Sequence, residues 1–423
     1  MGIYNETWRR RSRGMLCAVG ALALFAGCDQ LLEVELPGDV LEEDLNSSAL
    51  AATLVRGVES DFDCAFGNYV FTLGMWVADL NIATGSRGNY EVVTRSPDWF
   101  RSANGPCTGN LNVLLPLHTS RVQGANAAKL VAEFPTKDVT DPDFLIGKAY
   151  AYEGYSTQLL SEAYCAVTFD AGPLQTRAQG FERAINRFTL ALEHARRVTS
   201  GPNAAEAQSI VNMALVGRAR ANLHLGKSAA VVADAREVPM AFVRNATYSD
   251  ADTRRYNKVF DQVNRSRGYP VHASYLGLTV AGKPDPRVGV VHYGKGTGFD
   301  GVTDMWGQLK YTSLSAAMPF ATGREAQLMI AEVQGGQTAV QIINALRATH
   351  GLAPFSSTDP TAIRDQVREE RRRELWLQGT RLGDLLRWGV KLPQGVNQRG
   401  DPYNPLYDCV PLEGAEEQSN PNL

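Results

Sequence analysis

The sequence predicts a mainly α-helical protein, a body of tetratricopeptide-like helical repeats interrupted by a loop-rich excursion. Three observations carry that expectation. Apolar residues recur at three- and four-residue spacing through most of the chain. Antiparallel helix pairs return at roughly 34-residue intervals. Between residues 240 and 320 the pattern gives way to Gly, Pro and aromatics set among turns.

In chain order, residues 1–27 read first as an export signal. Trp8-Arg9-Arg10-Arg11-Ser12-Arg13 is a basic stretch, and Met15–Ala26 is an apolar run of twelve residues. A membrane span needs about twenty. Phe25-Ala26-Gly27-Cys28 follows and is similar to the lipobox of bacterial lipoproteins, in which Cys28 is acylated and becomes the first mature residue. The alternative is an ordinary cleaved signal beside an unrelated cysteine. Export leaves Cys64, Cys107, Cys165 and Cys409, an even number for an oxidising compartment. Three pairings are open. Local closure favours Cys64–Cys107, both in Gly/Asn-rich stretches read as loops, and leaves Cys165–Cys409 to tie the tail to the body. No Cys/His spacing suits zinc, so no metal or cofactor is expected.

Residues 28–423 read as one domain in three parts: 28–239 helical, 240–320 the excursion, and 321–423 helical again. After Pro37-Gly38, Leu50, Leu54 and Val58 share a helical face. Residues 61–110 read as long loops around a short helix near Met75–Leu80, and His118–Phe134 returns to helix. Ala149, Tyr152, Tyr155, Leu159 and Leu160 mark the next helix. Phe181–Arg197, Ala204–Leu225 and Ala229–Val238 follow. Beyond the excursion, "GREAQLMIAEV" and "QTAVQIINALRATHGL" are helical.

The last helical stretch, "REERRRELWLQGTRLGDLLRWG" (368–389), mixes arginines, acids and tryptophans. Asp359-Pro360 caps its start. Ile363, Val367 and Leu375 share a face with Arg371, and the acids precede the bases in the favourable order, Asp365 to Arg368 or Arg373, Glu369 to Arg373, and Glu370 to Arg373 or to the neighbours of Glu374. Gly389 is placed to end the helical run. With 42 basic and 45 acidic side chains, a net charge of −3 gives no global attraction to nucleic acid. Arginines interleaved with acids beside leucines point to an internal lock. No G-x-S-x-G or H-E-x-x-H occurs, the six histidines are scattered, and "GKGTG" (294–298) is too short for a phosphate loop. No enzyme is expected.

The same stretch resembles the C-terminal signature of the SusD/RagB family of outer-membrane lipoproteins, roughly R-R-x-E-L-x-F-E-G-x-R-x-x-D-L-x-R-W-G. Arg371, Arg372, Glu374, Leu375, Gly379, Arg381, Asp384, Leu385, Arg387, Trp388 and Gly389 match, whereas Gln378 and Gly383 depart from it. "LLEVELPG", "GKAYAYEGYSTQLLSEAYC", "PDPRVGV" and the Asn-Pro-Asn ending fall in family order. The resemblance implies a lipid-anchored, surface-facing outer-membrane protein that binds an oligosaccharide or other oligomeric nutrient and passes it to a SusC-like TonB-dependent transporter. It also implies a ligand site built from loop aromatics in residues 87–100 and 292–311. Tyr90, Trp99, Tyr293 and Trp306 are the expected platforms, with Arg87 and Asn89 as hydroxyl partners. A helical scaffold without small-molecule ligand and a two-carboxylate glycoside hydrolase are the alternatives.

Overall fold

The computed structural model describes residues 47–85, 91–96, 107, 112–397, 399–412 and 420–423. Its first long helix, α1 (Ala51–Trp76), begins amphipathic, with Ala51, Val55, Val58 and Phe62 buried. From Phe62 to Trp76 every residue is buried. This corrects the expected loops over residues 61–76. The helix runs through to Trp76, and Val77–Leu80 is a turn and bridge. A helix buried all round has no amphipathic period to read. Gly67 and Gly74 looked like breakers, yet Gly67 lets the helix approach Tyr248, whose ring lies 3.2 Å from where a Cβ would stand. Cys64 therefore sits on a helix, bonded to Cys107 with a Cα separation of 6.1 Å.

Five helices continue the body: α2 (Leu114–Glu133), α3 (Pro142–Ala163), α4 (Arg177–Ala195), α5 (Ala204–His224) and α6 (Ser228–Glu237). Each packs on the next, the α-hairpin stacking expected of a tetratricopeptide-like body. A capping box starts α4, where Thr176 and Gln179 exchange hydrogen bonds. Small residues bring the helices together. Phe188 of α4 fills the space beside Gly154 of α3 and Gly217 of α5, where a Cβ would stand 2.7 and 2.3 Å from its ring.

The excursion is built from two-stranded ribbons. Before it, β1 (Ala166–Val167) pairs with β2 (Gln175–Thr176). Then β3 (Val243–Ala246) pairs with β8 (Met318–Thr322), so the chain leaves and rejoins the helical body through one antiparallel ribbon. Within it β4 (Thr279–Val280) pairs with β5 (Lys283–Pro284), and β6 (Val290–Gly294) with β7 (Met305–Gln308). A π-helical segment, Phe260–Arg265, has no counterpart in the sequence reading. Of the excursion's aromatics, Tyr248, Tyr269, Tyr275 and Tyr311 are buried and join the main hydrophobic core.

After the excursion, α7 (Gly323–Gln334) packs on α5 and α6, and α8 (Gly336–Thr349) on α7. Helix α9 (Pro360–Glu374) lies against both, and α10 (Arg381–Arg387) returns to α1 and α3. The tail is held at the end of α3. Cys165 and Cys409 are bonded with Cα atoms 5.1 Å apart, the Cys165 N–H donates to the Val410 carbonyl, and the Val410 N–H donates to that of Ala163.

Candidate functional site

The arginine-rich stretch is a lock, built largely from partners far away in the chain. Asp359 caps α9 as expected, accepting from the Thr361 and Ala362 amides. Arg371 donates two parallel bonds to Asp384, of 3.0 and 2.8 Å. Burial alone would raise Asp384, but Arg371 and Arg387 outweigh it and hold this carboxyl well below the usual range. Arg387 and the Trp388 indole both donate to Glu332 of α7. Glu374 meets Arg324 and His350.

Some expected pairs are corrected. Glu369 does meet Arg373, but Asp365 meets Arg364. Glu370 meets Arg347 of α8 and Arg287 of the Asp-Pro-Arg element. Arg287 also grips Asp285, which Arg373 contacts in turn. Burial opposes ionisation of Asp285, yet Arg287 lowers it to about 2. The signature thus pins the excursion to α9. Arg368 and Arg381 are the exceptions, with no hydrogen-bond or ion-pair partner among the described residues, though Arg368 covers the Trp388 ring.

The predicted ligand platforms divide. Arg87, Asn89, Tyr90 and Trp99 lie outside the described residues, as does Cys28. Tyr293 and Trp306 lie on the β6–β7 ribbon but on opposite faces. His292 is the register partner of Trp306, and their rings stack at 4.3 Å. Gly307 faces the other way, and Tyr293 packs there, 2.5 Å from where a Cβ on Gly307 would stand. The Tyr293 hydroxyl accepts from Asn264, and the Arg267 guanidinium covers its ring at 4.7 Å. Tyr293, like Trp306, is half-buried and packs against the main core. His292 is exposed. The loop of this hairpin carries Phe299, which is 70% exposed and absent from the sequence-based set. Only its place in the turn "GTGFDG" hinted at that.

The segment that leads toward residues 87–100 runs beside this hairpin. Leu80 bridges Val271, whose N–H donates to the Trp306 carbonyl. The Ala83 N–H donates to Gly268, and the Asp300 N–H of the hairpin loop donates to Ala83. The chain up to residue 85 is thus bonded to the hairpin loop, whereas residues 94 and 95 meet the tail: the Asn404 N–H donates to the Thr94 carbonyl, and the Arg95 guanidinium covers the Tyr403 ring at 4.6 Å. Among the described residues no group of three or more His, Cys, Asp or Glu could hold a metal ion. No helix among them is long and apolar enough to cross a membrane.

A stack of helical hairpins carrying an aromatic-bearing excursion defines a helical-repeat protein of the SusD-like fold, and comparison agrees. Residues 325–420 match the SusD family, so the signature is SusD-family sequence. A SusD-like carbohydrate binding protein of Bacteroides vulgatus is 13% identical, with 89% of this chain and 97% of that one covered at a TM-score of 0.67. A SusD-like carbohydrate binding protein of Bacteroides fragilis is 14% identical, covering 89% and 99% at 0.64. A SusD superfamily protein of Parabacteroides distasonis is 13% identical, covering 91% and 99% at 0.64. No curated protein matches the chain.

Proposed function

We propose that this chain is a surface lipoprotein that binds an oligosaccharide or similar oligomeric nutrient and delivers it to a TonB-dependent outer-membrane transporter. The observation that carries this reading is the convergence of the 80–85 segment on the β6–β7 hairpin, in a fold shared with proteins described as carbohydrate binding. An indole offers a flat apolar face to the C–H face of a pyranose and loses little entropy on binding. Trp306, backed by His292, is the platform on the described side, and Phe299 stands exposed on the loop of the same hairpin. The lipobox-like Phe25-Ala26-Gly27-Cys28 supports the anchor, and the SusD-family segment supports a transporter partner.

Calorimetric titration against a panel of neutral oligosaccharides tests the binding reading. Trp306→Ala is expected to weaken binding with little change in melting. Affinity equal to wild type across every glycan that binds would remove the hairpin from the site. Co-purification with an outer-membrane transporter from native membranes tests the delivery step.

A further inference from the structure

The signature lock leaves out two of its arginines, and both line the same cleft. That cleft measures about 500 Å³, within the roughly 300–1,000 Å³ of small-molecule sites. Arg368, Arg372, Arg381, Trp388, Asp79 and Tyr275 are among its lining residues. Arg371, Arg372, Arg373 and Arg387 each hold a carboxylate. Arg368 and Arg381, both half-buried, hold none among the described residues.

The acids of the cleft are already engaged. Asp365 meets Arg364, Glu369 meets Arg372 and Arg373, and Asp79 accepts the Tyr275 hydroxyl. Lys391, the remaining cation of the lining, meets Asp408. That leaves Arg368 and Arg381 against the buried Asp79, an excess of one positive charge. The guanidiniums also rest on rings, Arg368 over Trp388 at 5.0 Å and Arg372 over Tyr275 at 4.7 Å. A guanidinium over a ring keeps its in-plane fork of N–H donors, the geometry that grips a carboxylate.

We infer that this cleft binds the carboxylate of an acidic sugar, a uronate unit, with Arg381 and Arg368 as its donors and Trp388 as its apolar wall. The inference rests on the reading of the chain as a glycan binder and names its cargo: acidic oligosaccharides. A uronate matches the cleft's one surplus charge and presents a C–H face to the indole. The loop that walls the cleft at His272–Tyr275 also seats the hairpin, since Val271, just before it, bonds the Trp306 carbonyl.

The test is calorimetric titration of the full chain with trigalacturonic acid and with its methyl ester, alongside melts. The acid is expected to bind about tenfold or more tightly than the ester, the worth of one charge-assisted contact. Arg381→Gln and Arg368→Gln are each expected to abolish that preference without lowering the melting temperature. Arg381→Lys, which keeps the charge but loses the fork, should fall between and serves if the Gln variant does not fold. Equal binding of acid and ester by the wild type, no binding of either, or an unchanged preference in the variants would overturn the proposal. If the arginine variants lose the preference while Trp306→Ala alters no glycan, the cleft stands and the hairpin reading falls. The converse pattern keeps the hairpin and rejects the cleft.

Discussion

Arg371 on α9 and Asp384 on α10 face each other fork to fork, their side chains only 1% and 4% exposed. Removing either partner strands the other charge out of water, which costs about 3–5 kcal/mol, far more than a surface pair. Arg371→Ala and Asp384→Ala are expected to lower stability by that order while leaving the glycan affinity of the surviving folded protein intact. Thermal melts beside binding isotherms check this, and unchanged melting with lost binding would contradict the lock. Because Asp384 is depressed, its contribution is present above the ordinary carboxylate range and is lost as pH falls below it.

Asp63 shows the opposite sign. Burial pushes it from 3.8 up to about 7, against hydrogen bonds from the Thr247 amide and hydroxyl, and its second oxygen has no hydrogen-bond partner among the described residues. The folded state holds a proton there that the unfolded chain has already released, so stability falls as pH rises from about 4 to about 7. In Asp63→Asn that part of the slope should vanish. Urea melts of both proteins at the two ends of the window read the difference, and parallel slopes would rule out this assignment.

Tyr293 and Trp306 should behave differently on truncation. Tyr293→Ala removes a ring packed against Gly307 and Arg267 and is expected to destabilise the protein, by up to about 3–5 kcal/mol if it packs like a core aromatic. Trp306→Ala should chiefly weaken glycan binding. Parallel melts and titrations separate the two effects, and the reverse pattern would exchange the roles.

Replacing Cys165 and Cys409 together by Ser opens a ring with a sequence separation of 244 residues. The chain-entropy model gives about 5.5 kcal/mol for closing a loop this long. The variant is expected to melt earlier and to expose residues 410–412 to protease, as limited proteolysis with mass spectrometry would show. Protease resistance like that of the wild type would mean that packing alone holds the tail.

Cys28 is expected to carry the acyl chains of the anchor, and two or more chains are needed for stable attachment. Labelling of cells with a clickable palmitate analogue should mark the wild type and spare Cys28→Ala. Equal labelling of both would locate the lipid elsewhere, or nowhere.

What the sequence made legible tracks where the interactions lie. The Asp359 cap and the Glu369–Arg373 pair were readable because both are local to one helix. The true partners of Glu370 were not, because Arg347 and Arg287 lie 23 and 83 residues away. The second half of α1 was hidden by its complete burial, which erased the periodicity on which helix reading depends. At the hairpin, sequence named both aromatics but not their faces. The cross-strand register that sets His292 opposite Trp306 decides those, and no composition signal announces it.

The two cross-links have a mechanical consequence. In the oxidised chain, a pull on its two ends travels from residue 64 straight to 107, and from 165 straight to 409, through sulfur. Everything between those points hangs off the load path as a slack loop. Residues 87–100 fall in the first loop, and residues 292–311, with Arg368 and Arg381, fall in the second. Tension on a tethered copy would therefore stretch the segment between 107 and 165 while neither candidate binding region bears the force along its own backbone.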